Sequence, residues 1–183
     1  MMVCDATDVY TFGQATTFVT ANASSAVMDG GATTMMGGSE TIRGYLRQLS
    51  EKGFDVHKLD FYKCYRPFRF GNGSVQAAKW CVYLPVAFKD KVGLVLTYIV
   101  PGKTPLLFPR PLMEMFHLVI NYADKSVTWG DNPAEQAVVG HQGHYMVDLL
   151  EHGERWRGLA PSTSQISVSS RLTSRLLSIH PSR

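Results

Sequence analysis

Cysteine is scarce in this sequence. Among 183 residues there are three, Cys4, Cys64 and Cys81. They are scattered, form no Cys-x-x-Cys pair, and their odd number excludes a closed disulfide framework; a reducing compartment fits such usage. Long hydrophobic runs are also missing. No apolar stretch approaches the roughly 20 residues that a membrane-crossing helix needs, so no transmembrane helix and no membrane partner are expected. The opening MMVCDATDVY has neither the basic cluster nor the long apolar segment of a secretory leader, and an intracellular, cytoplasmic location is the expectation. Acidic residues are absent from 155–183, which hold five arginines, Arg155, Arg157, Arg171, Arg175 and Arg183. The rest of the chain therefore carries 13 basic and 15 acidic residues. A near-neutral body offers no basic face, so nucleic acid is an unlikely partner. No repeat recurs at the 20–50 residue spacing of solenoids and propellers.

What is present suffices for one folded unit. Hydrophobic residues make up 45% and charged residues 18%, which supports an ordinary core in a chain of this length. Residues 1–20, rich in Thr and Val, suit one or two short strands. A helix is predicted from about Thr41 to Lys52, because Ile42, Tyr45, Leu46 and Leu49 recur at helical spacing, with Ser39 as N-cap and Gly53 just past the end. Beyond it the pattern turns to strands. In RPFRFGNGSVQ, Phe68 and Phe70 alternate, Gly71-Asn72-Gly73 turns, and Val75 starts the return, which reads as a hairpin. WCVYLPVAF and KVGLVLTYIV are strand-like, joined at Asp90-Lys91. Pro111 suits the first turn of a short helix through Phe116. LVINYADKSVTWG reads as strand, turn and strand, bent at Ala123-Asp124-Lys125. Residues 130–154 are loop-rich, with one apolar segment from Tyr145 to Leu150. The Ser/Arg-rich end from Gly158 reads as disordered.

The chemistry gathers at VMDGGATT. An apolar strand delivers Asp29 to a loop of Gly30, Gly31, Ala32 and Thr33, where glycines let main-chain N–H groups approach a carboxylate. The plain alternative is a turn aspartate. One acid alone splits an amide poorly. Two facing acids sharing a proton do better, one activating water as general base and the other protonating the carbonyl oxygen. The chain has no second stretch of this kind, so a partner acid has to come from a second copy across a twofold axis.

Met28-Asp29-Gly30-Gly31-Ala32-Thr33 resembles the Asp-Thr/Ser-Gly-Ala loop of retroviral-type (retropepsin-like) aspartic proteases, in the form found in retrotransposon polyproteins. Further features keep the family order. The hairpin Phe70-Gly71-Asn72-Gly73 stands where a flap would follow. WCVYLPVAF and VGLVLTYIV are similar to later sheet strands. TPLLFPRPLMEM is similar to the apolar segment, arginine and short helix near the family's C-terminal end, with LVINY as the strand after it. The resemblance covers roughly residues 15–150. It implies a mainly β, closed barrel-like protomer with one inserted helix and one short C-terminal helix. It divides the chain into an extension at 1–14, a protease domain at 15–154 and a disordered tail at 155–183. It implies a homodimer that cleaves polypeptide with water activated by two Asp29 side chains and that uses no metal and no organic cofactor. Asp29 would be catalytic; Gly30, Gly31, Ala32 and Thr33 would form the active-site loop; Phe70, Gly71, Asn72 and Gly73 would form a flap over substrate; Arg110 would be structural.

The sequence departs from the family pattern at three places. Gly30 stands where a hydroxyl normally ties the two loops together across the dimer, Pro109 replaces a glycine, and Thr33 replaces the acid that pairs with the arginine. A second reading is therefore a protease-like domain that dimerises or binds peptide without cleaving it. A third, a nucleic-acid-binding fragment, rests on the basic tail alone. His141 and His144 in GHQGH invite a metal, but no third and fourth ligand follow at a suitable spacing. Nothing in the sequence activates Cys64 or Cys81. Phe61, Tyr62, Tyr65, Phe68 and Phe70 are expected to pack in the core and hairpin rather than stack bases.

Overall fold

The computed structural model describes residues 23–89, 91–140 and 143–151. The strands expected within 1–20, the extension at 1–14 and the tail at 155–183 lie outside the described residues, as do Cys4, Asp90, His141 and His152. The protein is mainly β. In chain order the elements are β1 (Ser25–Asp29), β2 (Met35–Gly38), α1 (Ser39–Glu51), β3 (Phe61–Arg69), β4 (Val75–Phe88), β5 (Lys91–Val100), β6 (Leu106–Pro109), α2 (Arg110–Met115), β7 (Leu118–Asn121), β8 (Ser126–Trp129), β9 (Glu135–Gln136), β10 (Val138–Val139) and β11 (Tyr145–Asp148). Among the described residues no helix is long and apolar enough to cross a membrane.

Helix α1 follows its apolar stripe. Ile42, Tyr45 and Leu49 are buried on one side, while Arg43 and Arg47 are exposed. Its C-terminal end closes as the glycine predicts: Gly53 adopts φ +89°, the Phe54 N–H donates to the Leu49 carbonyl and the Gly53 N–H to that of Ser50. Both bonds belong to the Schellman arrangement. The other end differs from expectation, because the N-cap is Gly38 and Ser39 is already helical. The first N–H groups find carbonyls from the loop before β6 instead: Gly38 donates to Thr104 and Glu40 to Gly102. That loop presses so closely that a Cβ at position 38 would stand 2.3 Å from the Gly102 oxygen.

Eight strands form one sheet in the order β10-β11-β1-β6-β2-β5-β4-β3, and β7-β8-β9 form a second. Among the described residues the first sheet is open, and the expected closed barrel is not found. Among the described residues its edge strands β10 and β3 each pair on one side only. The approach to closure is a single parallel bridge from Ala87 in β4 to Leu150 after β11, with the Ala87 N–H donating to the Leu149 carbonyl. Strand β3 extends along β4 only to the Phe61–Val82 pair, which leaves the far half of β4 to this bridge. Pro67 is compatible with the edge position of β3, and Pro85 lies beyond the reach of β3, where its missing N–H costs no second ladder.

The sheet separates its side chains by the period of two. One face packs against α1, α2 and the small sheet through Ala26, Met35, Leu84, Leu106 and Phe108. Phe88 sits among Trp129, Phe116 and Phe108, with ring centroids 4.3, 5.2 and 6.1 Å away, and so joins both sheets. The other face carries Val27, Met36, Cys81, Tyr98, Leu107 and Met146. These are register partners. Met146 opposes Val27, Val27 opposes Leu107, Leu107 opposes Met36, Met36 opposes Tyr98, and Tyr98 opposes Cys81. A single apolar row thus runs straight across six adjacent strands.

The aromatic residues of β3 and of the hairpin turn after it divide. Phe68 and Phe70 pack on the second face, but Phe61, Tyr62 and Tyr65 are exposed, contrary to expectation. Among the described residues β3 has a neighbour on one side only, and its register with β4 shifts between Lys63 and Arg66, an irregularity of the kind that bends edge strands.

Candidate active site

Asp29 ends β1, two residues after Val27, so the same period that puts Val27 in the apolar row puts Asp29 on that face. The carboxylate is held from its own loop. Its Oδ1 accepts hydrogen bonds from the Gly31 N–H at 2.8 Å and the Ala32 N–H at 3.2 Å. Oδ2 accepts none from the described residues. A Cβ at position 31 would stand 3.2 Å from Oδ1, so a side chain there would require the carboxylate to shift. Position 30 is different: a Cβ would meet nothing within 4 Å, and φ lies outside the left-handed region. The loop returns into β2, and β6 runs between the two strands that the loop connects. It pairs parallel with β1, Asp29 opposing Pro109, and touches β2 at the Met36–Leu107 pair. The Arg110 N–H then donates to the Ala32 carbonyl at 3.0 Å, fixing the loop to the first residue of α2.

A groove of about 890 Å³ opens over this loop. Val27, Met36 and Leu107, consecutive members of the apolar row, form its floor, and Asp29, Gly30, Gly31, Ala32 and Thr33 form one wall. Phe70 and Gly71 of the β3–β4 hairpin reach the groove, whereas Asn72 and Gly73 do not line it. The hairpin closes as a glycine turn: the Gly73 N–H donates to the Phe70 carbonyl, Gly73 takes φ +80°, and the Ser74 N–H donates to Asn72 Oδ1. Arg110 also stands outside the groove. Its side chain is exposed and reaches Glu114 in the next turn, Nε to Oε1 3.6 Å. Its contribution to the loop is its main-chain N–H.

The sequence reading missed Arg66, Tyr122 and Tyr145 and weighed His144 only as a metal ligand; all four line the groove. Tyr122 and Tyr145 meet edge to face at 5.2 Å, though Tyr122 follows β7 of the small sheet and Tyr145 begins β11 of the large one. No local pattern announces such a meeting. Arg66 lies within an aromatic strand, where cations are ordinarily solvent-facing; only its register position reveals the groove. Cys64 and Cys81 are free thiols beneath the hairpin stem. Burial, then the neighbouring Cys64, pushes the Cys81 thiol up to about 11, which leaves it protonated and unreactive at neutral pH. Among the described residues no three His, Cys, Asp or Glu side chains gather as metal ligands.

Chemically, the groove offers one carboxylate oriented by two amides, an apolar floor and a hairpin overhead. Among the described residues no second carboxylate lines it. No protein-family model matches the chain, and no curated protein matches it in sequence.

Proposed function

We propose that this protein is an aspartic endopeptidase of the retropepsin-like type, part of a retroelement polyprotein, in which two chains each contribute Asp29 to activate one water. The observation that carries the reading is the placement of Asp29. Among the described residues it is the only carboxylate lining the groove, with Oδ1 held by two amides and Oδ2 left to act. A single carboxylate supplies either a general base or a general acid, not both at once. A second copy supplies the other and shares one proton, as facing carboxylates do. The apolar floor would hold substrate side chains, and the Phe70–Gly71 end of the hairpin would cover them.

The test is peptide hydrolysis by the full chain at acid and neutral pH, followed over a range of protein concentrations. The expected rate per chain rises with concentration until the dimer saturates. Asp29→Asn keeps an Oδ1 acceptor for Gly31 and Ala32, so the loop stays formed while turnover falls by at least about 100-fold, the low end of general acid–base contributions. A rate per chain independent of concentration, or unchanged turnover in Asp29→Asn, overturns the reading. Gly30 favours the second reading, a protease-like domain that pairs or binds peptide without cleaving it. It lacks the hydroxyl that would tie two loops together, and folded Asp29→Asn and native chains that bind peptide equally while neither cleaves would establish it.

A further inference from the structure

We infer that the groove selects polypeptide segments bearing an acidic side chain, and that Arg66 is the residue that reads it. This deepens the peptidase reading and rests on it for the use of the groove. Arg66 lies on β3 beside the groove. Its guanidinium sits over the Tyr98 ring at 4.6 Å from the centroid and near the Phe68 ring at 5.4 Å. The two rings support each other at 5.7 Å. Tyr98 belongs to the apolar row, next to Met36 of the groove floor. The cation is therefore attached to the rigid floor rather than waving in solvent.

Two things follow from that seat. Stacking on aromatic faces satisfies the guanidinium's flat side while leaving its N–H edge available for a carboxylate, which it can hold by two parallel hydrogen bonds. Among the described residues no carboxylate lies within ion-pair distance of Arg66 or of Arg69, which also lines the groove. With two arginines against the single carboxylate of Asp29 among the described lining residues, the groove has an excess of positive charge before any substrate arrives. An acidic side chain balances it, and a basic one is repelled. The chain's own segment 155–183, with five arginines and no acid, has the wrong charge to be the occupant.

The test is direct binding to the full chain carrying Asp29→Asn, so that no cleavage is required. The probes are labelled short peptides of one apolar and aromatic sequence, carrying Glu, Gln or Lys at each position in turn, with single-stranded oligothymidylate as a competitor. At one position the Glu peptide is expected to bind about tenfold or more tighter than the Gln peptide, and Lys weakest, as charge-assisted hydrogen bonds require. Added salt should narrow the Glu–Gln difference. Arg66→Gln should bring that ratio close to one, and Arg66→Lys, which keeps charge but not the planar fork, should restore part of it. Equal affinity for Glu and Gln at every position overturns the inference, as does an unchanged ratio in folded Arg66→Gln. Oligothymidylate binding tighter than the Glu peptide overturns it in favour of nucleic acid. If Arg66→Gln does not fold, the peptide ratio and its salt dependence in the parent chain decide. Preference for Glu in a chain that never cleaves supports the inference while sinking the peptidase reading. Cleavage without any charge preference does the reverse.

Discussion

The main-chain N–H of Arg110 donates to the carbonyl of Ala32 across 3.0 Å, joining the start of α2 to a loop almost eighty residues earlier in the chain. The bond holds the loop that presents Asp29, and it uses no side-chain atom. The Arg110 guanidinium is exposed and pairs weakly with exposed Glu114.

Arg110→Ala should therefore leave stability within about 0.5 kcal/mol, since exposed ion pairs of this kind contribute little. Urea unfolding with an unchanged midpoint is the expected result. A loss above 2 kcal/mol would mean that the guanidinium, not the main chain, secures the loop.

Positions 30 and 38 should respond oppositely to a side chain. Gly30→Thr enters open space, so the melting temperature should stay within a few degrees of the parent. Under the dimer reading, a hydroxyl restored on both chains adds about 1–3 kcal/mol of pairing, taking ~0.5–1.5 kcal/mol for each hydrogen bond. Sedimentation at low concentration measures it; a weaker dimer would show that the loop does not meet its copy there. Gly38→Ala would bring a methyl against the Gly102 oxygen and the Thr104 nitrogen, both main-chain atoms. A destabilisation of roughly 1–3 kcal/mol or more is expected for such overpacking.

How much of this was legible in the sequence depends on the range of the interaction. Ile42, Tyr45, Leu49 and Gly53 announced α1 because helix contacts and the C-terminal closure lie within a few residues. Gly71-Asn72-Gly73 announced the hairpin for the same reason, and Asp29 with its glycines marked the loop at the groove. The β4–β5 turn was expected at Asp90-Lys91, but Lys91 already opposes Phe88 in the ladder, a slip of one residue. The open sheet was not legible, since closure depends on which strands meet at the ends of a ladder. Ser39 looked like an N-cap because its side chain suits one, but the donors are met by Gly102 and Thr104, some sixty residues away. Arg66 was hidden because its partners, Tyr98 above all, are set by the β3–β4–β5 register.

Tyr45 gives a pH signature. It is fully buried and its hydroxyl donates to the Pro85 carbonyl at 2.6 Å. Burial, and secondarily the Asp148 carboxylate, hold its pKa well above the ordinary 10.0. The unfolded chain releases this proton near pH 10 while the folded chain keeps it, so stability is whole below that pH and falls above it, by up to about 1.4 kcal/mol per pH unit for one proton. Tyr45→Phe should cost about 1 kcal/mol at neutral pH for the lost hydrogen bond and should flatten the alkaline decline relative to the parent. Urea midpoints at pH 7 and above 10 test this; parallel declines in both proteins would assign the effect elsewhere.

Phe88→Ala should be among the most damaging single changes. It removes the ring that touches Phe108, Phe116 and Trp129, and deletions of buried aromatic rings cost about 3–5 kcal/mol. Because the cluster bridges the two sheets, near-ultraviolet circular dichroism should weaken along with the thermal midpoint. A loss below 1 kcal/mol would show that the small sheet is held by other contacts.

Strand β1 is paired on both sides with segments made long after it. Ala26 opposes Leu106 on one side and Val147 on the other. Such distant neighbours are costly to bring together before their contacts reward it, and chains dominated by them fold slowly. During synthesis the strand that carries Asp29 leaves the ribosome with neither neighbour yet made. It gains the first when β6 emerges and the second only with β11. The groove can therefore be complete only once β11 has been made, and a chain interrupted before Tyr145 lacks the neighbour that pairs with Ser25, Ala26 and Val27.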